Sequence, residues 1–173
     1  MRTMMKWSLG VFGLAMAAGS CLAQGAEPTK FYKMEFLVKE VEGTKVVNSR
    51  SYFMTLPVEA PGQPSQNGSI RTGSRLPVPT NATNPGAGFN YIDIGVSIDC
   101  KMLREVQSDV SVFVTADISA HTVEPNLPAP VIRQNRWSSM VLVPVRKPTV
   151  IYASDDTTSK RQMQLELTAT PIH

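Results

Sequence analysis

The 173 residues carry 17 Lys and Arg against 14 Asp and Glu, with 2 Cys and 2 His. That length suits one domain once an export leader is set aside. Arg2 and Lys6 belong to the leader, which leaves 15 basic against 14 acidic residues, a formal charge of +1 that excludes an electrostatic case for nucleic acid.

Arg2 and Lys6 open a basic start, and residues 7–18 form an apolar run too short to span a bilayer comfortably. Small residues follow. Cleavage after Ala23 is expected, with Cys21 and Ala23 at the two recognition positions. Lipid attachment at Cys21, after Ala18-Gly19-Ser20, is the alternative. The organisation expected is a signal peptide over 1–23, a short linker over 24–30 and one β-rich domain over 31–173. Cleavage leaves Cys100 without a disulfide partner, and its apolar neighbours make it a buried thiol.

Residues 31–41 alternate. Tyr32, Met34, Phe36 and Val38 take one face, and Lys33, Glu35 and Lys39 the other, the period of a strand with one wet face. Glu42-Gly43 supplies a turn and residues 45–56 return as a hairpin partner. Residues 57–67 form a Pro- and Gly-rich loop. Residues 69–79 are extended, and Pro77 and Pro79 make them an edge strand. Residues 81–88 form a second loop. Asn67-Gly68-Ser69 and Asn81-Ala82-Thr83 fit the glycosylation acceptor pattern.

The strongest alternation lies in residues 89–100 and 110–119. Its inner faces are predicted to be Ile92, Ile94, Val96, Ile98 and Cys100, against Val110, Val112, Val114, Ala116, Ile118 and Ala120. Gly95, in mid-strand, predicts a bulge or a close backbone approach. Residues 101–109 read as a polar break. A loop over 121–130 follows, then a strand over 131–145, a turn at Arg146-Lys147-Pro148, a short strand over 149–152, a polar loop and a last strand over 162–172. No helix is predicted in the mature chain. The fold class is all-β: an antiparallel β-sandwich or partly open barrel-like domain of about eight strands. Short, proline-interrupted strands argue against a self-contained membrane barrel, which needs strands of about 9–11 residues with lipid-facing apolar bands.

Five segments, in order, resemble the C-terminal channel domain of bacterial secretins of type II and type III secretion and of type IV pili. Residues 71–78 are similar to the family's glycine-then-proline segment. Tyr91-Ile92-Asp93-Ile94-Gly95-Val96-Ser97-Ile98 resembles its aromatic-x-Asp-Val-Gly-x-x-Leu strand, and residues 112–119 the strand after it. Residues 130–136 resemble its Pro…Arg segment and residues 140–151 its closing strand–turn–strand. Where the family usually has a Gly-Gly pair, this chain has Tyr152-Ala153-Ser154. The resemblance implies a secretin-like domain, periplasmic or outer-membrane associated. Its partners would be further copies of itself or envelope and secretion components.

No catalytic, cofactor or metal site is assigned. Asp93 and Asp99 share a strand face about 20 Å apart, at about 3.3 Å per residue, too far for a carboxylate dyad. Asp117, Ser119 and His121 share a face without converging. Asp155 and Asp156 read as turn residues. Trp137, with Arg133 and Arg136, is the best surface-recognition candidate, since these residue types are enriched at binding hot spots. The function expected is a non-enzymatic envelope protein acting by association. The alternative is a small-ligand or glycan-binding sandwich.

Overall fold

The computed structural model describes residues 29–60, 62, 64–80, 88–122, 130–156 and 159–172. Residues 1–23, expected to be a signal peptide and including Cys21, most of the expected linker, and residues 81–87 (with the acceptor Asn81) and 123–129 lie outside the described residues.

Eight strands follow one another: β1 (Phe31–Glu42), β2 (Lys45–Pro57), β3 (Gly68–Pro79), β4 (Phe89–Val106), β5 (Asp109–Thr122), β6 (Val131–Pro144), β7 (Thr149–Asp155) and β8 (Arg161–Ile172). They form two open antiparallel sheets, ordered β2-β1-β8-β7 and β3-β4-β5-β6. The all-β sandwich is the expected fold class, and no helix occurs among the described residues. Face-to-face packing explains the parity. Met34 and Phe36 of β1, Leu165 and Leu167 of β8, Ile98 and Cys100 of β4, and Val112 and Val114 of β5 are all fully buried in one core. Burial pushes the Cys100 thiol up to about 12, helped by the Asp99 charge, so it is inert at neutral pH.

Three expectations are corrected. The residues read as a polar break continue β4 to Val106, and the connection is the two-residue turn Gln107-Ser108. A bulge between Lys101 and Arg104, with Met102 at φ 58°, turns Leu103 into the core at 1% exposure. Second, Ile92 and Ala120 are not core residues. They lie past the point where the opposite sheet covers β4 and β5, so they stay exposed despite their parity. Third, the strands are not short. Seven of the eight have 12 residues or more, and β7 has 7. What argues against lipid contact is instead the charge on both outer faces: Lys39 and Glu166 pair at 2.7 Å on one sheet, and Arg71 and Asp99 at 2.7 Å on the other.

The two sheets are aligned edge over edge. A side-chain atom at Gly68 of β3 would strike Met54 and Leu56 of β2, so β2 and β3 share one flank. On the opposite flank, the Trp137 ring of β6 lies 5.7 Å from the Tyr152 ring of β7. At one end the start of β1 is clamped to the end of β4. Tyr32 Oη donates to Glu105 Oε1 at 2.8 Å, and Lys30 Nζ to Glu105 Oε2 at 2.9 Å. Burial, then the bond to Glu105 and its charge, raises the Tyr32 phenol to about 12.

Candidate functional site

At Gly95 the sheet divides. β4 and β5 are paired from Val96↔Ile118 toward the turn, but not beyond. The Gly95 N–H, which would have continued the ladder, donates to Ser119 Oγ at 3.0 Å. Gly95 has φ 147°, a conformation side chains rarely adopt, and it faces Gly73 of β3. A Cβ on Gly73 would strike the Ile94 carbonyl, and one on Gly95 the Thr72 carbonyl and Gly73 Cα. The close approach expected at Gly95 is therefore real. Beyond it the β3/β4 hairpin runs on alone as an arm ending at Pro79 and Phe89. A cleft of about 480 Å³ lies around the fork, lined by Arg75, Asp93, Asp117, Ser119 and Gln134.

Each outward carboxylate here has its own cation. Arg71 Nη2 reaches both Asp99 oxygens at 2.7 Å. Arg75 Nε meets Asp93 at 2.9 Å. Arg136 holds Asp117 through Nε at 3.0 Å and Nη2 at 2.7 Å, and Gln134 Nε2 adds bonds of 2.8 and 2.9 Å. Asp93 and Asp99 are thus separate ion pairs. Ser119 caps Gly95 and Asp117 binds Arg136, so neither serves His121. Among the described residues no group of three or more His, Cys, Asp and Glu could hold a metal ion.

Partial burial pushes the Asp99 and Asp117 carboxyls up. The bonds from Ser69 and Arg71 to Asp99, and from Gln134 and Arg136 to Asp117, outweigh it and hold both below the ordinary range. A depressed carboxyl stabilises the fold above its unfolded value, and that contribution is lost as pH falls through the folded value. Melting temperatures should therefore fall below about pH 4, the unfolded Asp range. Asp99→Asn with Asp117→Asn should flatten that fall; an equally steep slope would mean other groups drive it.

Trp137, Arg133 and Arg136 do not converge. Trp137 faces inward and is partly buried against the core and Tyr152. Arg133 Nη1 meets Asp156 at 2.8 Å, and Arg136 lies on the outer face. All three sit on β6, an edge strand. The two open edges of this sheet were not singled out as a pair by sequence.

Because the Gly95 N–H points at β5, antiparallel alternation fixes the rest. Along β3, the backbone groups of Ser69, Arg71, Gly73 and Arg75 face the open edge. Along β6, those of Gln134, Arg136, Ser138 and Met140 do. Pro77, Pro79 and Pro144 fall on the same open-edge positions, where a missing N–H removes no ladder bond.

No protein-family model matches the chain, and no curated protein matches it in sequence. Several solved secretin structures are similar to it in architecture, two of them with TM-scores above 0.5 as follows. The InvG secretin domain β-barrel of the Salmonella SPI-1 injectisome has a TM-score of 0.56 at 5% identity, over 84% of this chain and 64% of InvG. The type II secretin GspD of enteropathogenic Escherichia coli has a TM-score of 0.52 at 9% identity, over 84% of this chain and 70% of GspD. The chain spans just under two thirds of the InvG structure. At such identities the likeness is one of fold alone: the two four-stranded sheets of this chain have a secretin-domain fold.

Proposed function

We propose that the chain is a non-catalytic, exported envelope module whose copies join side by side, each sheet of one copy continuing into the same sheet of the next. The alignment of the edges carries this reading. β2 with β3 bounds one flank and β6 with β7 the other. Four alternating strands leave the two edges of each sheet running in opposite directions, so a head-to-tail neighbour meets both layers antiparallel. A closed ring of such copies would be a double-walled barrel, in keeping with the likeness to a secretin domain β-barrel. Trp137, Arg133 and Arg136 lie on the flank a neighbour would cover. The periplasm or outer membrane is the location this reading implies, and envelope or secretion components are its further partners.

A proline scan of β6 tests it. Ser138→Pro removes an N–H that faces the open edge. It should leave a folded domain that stays monomeric by light scattering at concentrations where the parent assembles. Ser139→Pro removes a bond to β5 and should lower the melting temperature instead. A parent that is monomeric at high concentration, or a Ser138→Pro variant that assembles unchanged, refutes the reading.

One observation favours the alternative of a small-ligand or glycan site. A cleft of about 730 Å³ opens between the sheets, over Val38, Val96 and Ile118, with Arg50 on its wall. That volume is in the range of small-molecule sites. If no glycan or small anion raises the melting temperature in an Arg50-dependent way, this alternative is retired.

A further inference from the structure

The inner layer of the β3-β4-β5-β6 sheet is unfinished at both edges. Ile70, Ile98, Ala116 and Trp137 stand in one row straight across it. Ile98 and Ala116, in the middle, are buried, whereas Ile70 on β3 and Trp137 on β6 are only partly buried. Each end of the row lacks a lateral neighbour on one side. The facing sheet ends the same way. Tyr52 on β2 closes a row through Phe36 and Leu167 and is only partly buried. Tyr152 on β7 is partly buried too, with its ring 5.7 Å from that of Trp137.

The two ends match. The charges beside the row point outward, Arg71 with Asp99 and Arg136 with Asp117. Inward, Gly68, Ile70, Thr72 and Ser74 of β3 carry no charge, and the inward side of β6 from Trp137 to Val143 carries none either. Interface centres are depleted of charge in the same way and are anchored by Trp and Tyr. Ring closure tilts the strands and displaces neighbours along them, and inward faces stay matched only in even steps. Every such step from Gly68 to Ser74 sets Trp137 beside an uncharged residue. Two unfinished ends at one height, on opposite flanks, fit a second copy of this chain.

We infer that Trp137 and Tyr152 of one copy seat against Ile70 and Tyr52 of the next, so that one hydrophobic core runs unbroken from copy to copy. This rests on the lateral association proposed above and names its source of affinity. The backbone edges set the direction of the join, and the aromatic seam between the sheets supplies the burial.

The test uses the full chain with Trp7→Phe, which leaves Trp137 as its only tryptophan. As light scattering records assembly with rising concentration, Trp137 emission should move to the blue. Its quenching by acrylamide should fall about two-fold or more, because water leaves the ring. Ile70→Glu should raise the concentration for half-assembly at least about thirty-fold, since an unpaired charge is then buried in the seam. In the monomer the open flank lets that glutamate reach water, so the circular dichroism should not change. Ile70→Glu keeps an intact β6/β7 flank, and Ser138→Pro an intact β2/β3 flank. Mixed, they should form a 1:1 heterodimer. With Trp137→Phe added to the Ser138→Pro copy, the remaining Trp137 should shift to the blue on mixing. A parent that stays monomeric overturns the lateral reading and this inference together. A parent that assembles with unmoved Trp137 emission overturns this inference alone, and so does an Ile70→Glu variant that assembles like the parent. If Ile70→Glu does not fold, the parent's emission decides.

Discussion

Gly95→Val is expected to be among the most damaging substitutions in the chain, costing about 2–6 kcal/mol. Two effects of about 1–3 kcal/mol each add: backbone strain and forced overpacking. Gly95 holds φ 147°, and its Cβ would press on the Thr72 carbonyl and Gly73 Cα. Neither can yield like a flexible side-chain tip, because both are backbone of the paired strand. A domain of this size has about 5–15 kcal/mol in total, so urea midpoints and melting temperatures should fall sharply. Gly43→Asn is the control. Gly43 has φ 61° but nothing within 4 Å of an added Cβ, and Asn tolerates that conformation, so its cost should stay within about 1 kcal/mol. A Gly95→Val variant as stable as Gly43→Asn would mean that β3 and β4 do not cross so closely.

The sequence carried the faces of the strands more faithfully than their ends or their partners. In β1, β5 and β8 the two-residue period marks the buried side chains, because burial there follows parity almost without interruption. Pro77 and Pro79 marked β3 as an edge for a sound reason, since an edge position has no bond for the missing N–H to make. The two tight hairpins differ. Both need a positive φ at the first turn residue, but Gly43 advertises it and Gln107, at 57°, does not. That is why β4 was expected to end early. The three ion pairs around the fork left no local signal either, because their partners lie 18 to 28 residues apart in sequence. The same holds for the sheet order, which inserts β8 between β1 and β7. Trp137 shows the limit of reading residue types. It is a surface-recognition candidate together with Arg133 and Arg136, and alternation sends Trp137 and Arg136 to opposite faces.

Leu103→Ala should destabilise the domain by about 2–5 kcal/mol, the range for emptying a fully buried leucine site, whereas Ile92→Ala should cost less than about 1 kcal/mol. Reading parity alone gives the reverse order, since Ile92 stands in the best alternating run and Leu103 in a stretch of Lys, Arg and Glu. The difference comes from what lies opposite. Leu103 is turned inward by the bulge at Met102, is 1% exposed, and its carbonyl accepts the Glu59 N–H at 2.8 Å, tying the β2–β3 loop over it. Ile92 has the correct parity for the core but stands on the arm, 37% exposed, where no sheet covers it. Parity decides which way a side chain points; only the extent of the facing layer decides whether water is excluded when it gets there. Paired urea titrations of the two variants separate these causes. Similar losses for both would place Ile92 inside the core and remove the arm as an independent element, while a small loss for Leu103→Ala would remove the bulge as the device that extends the core.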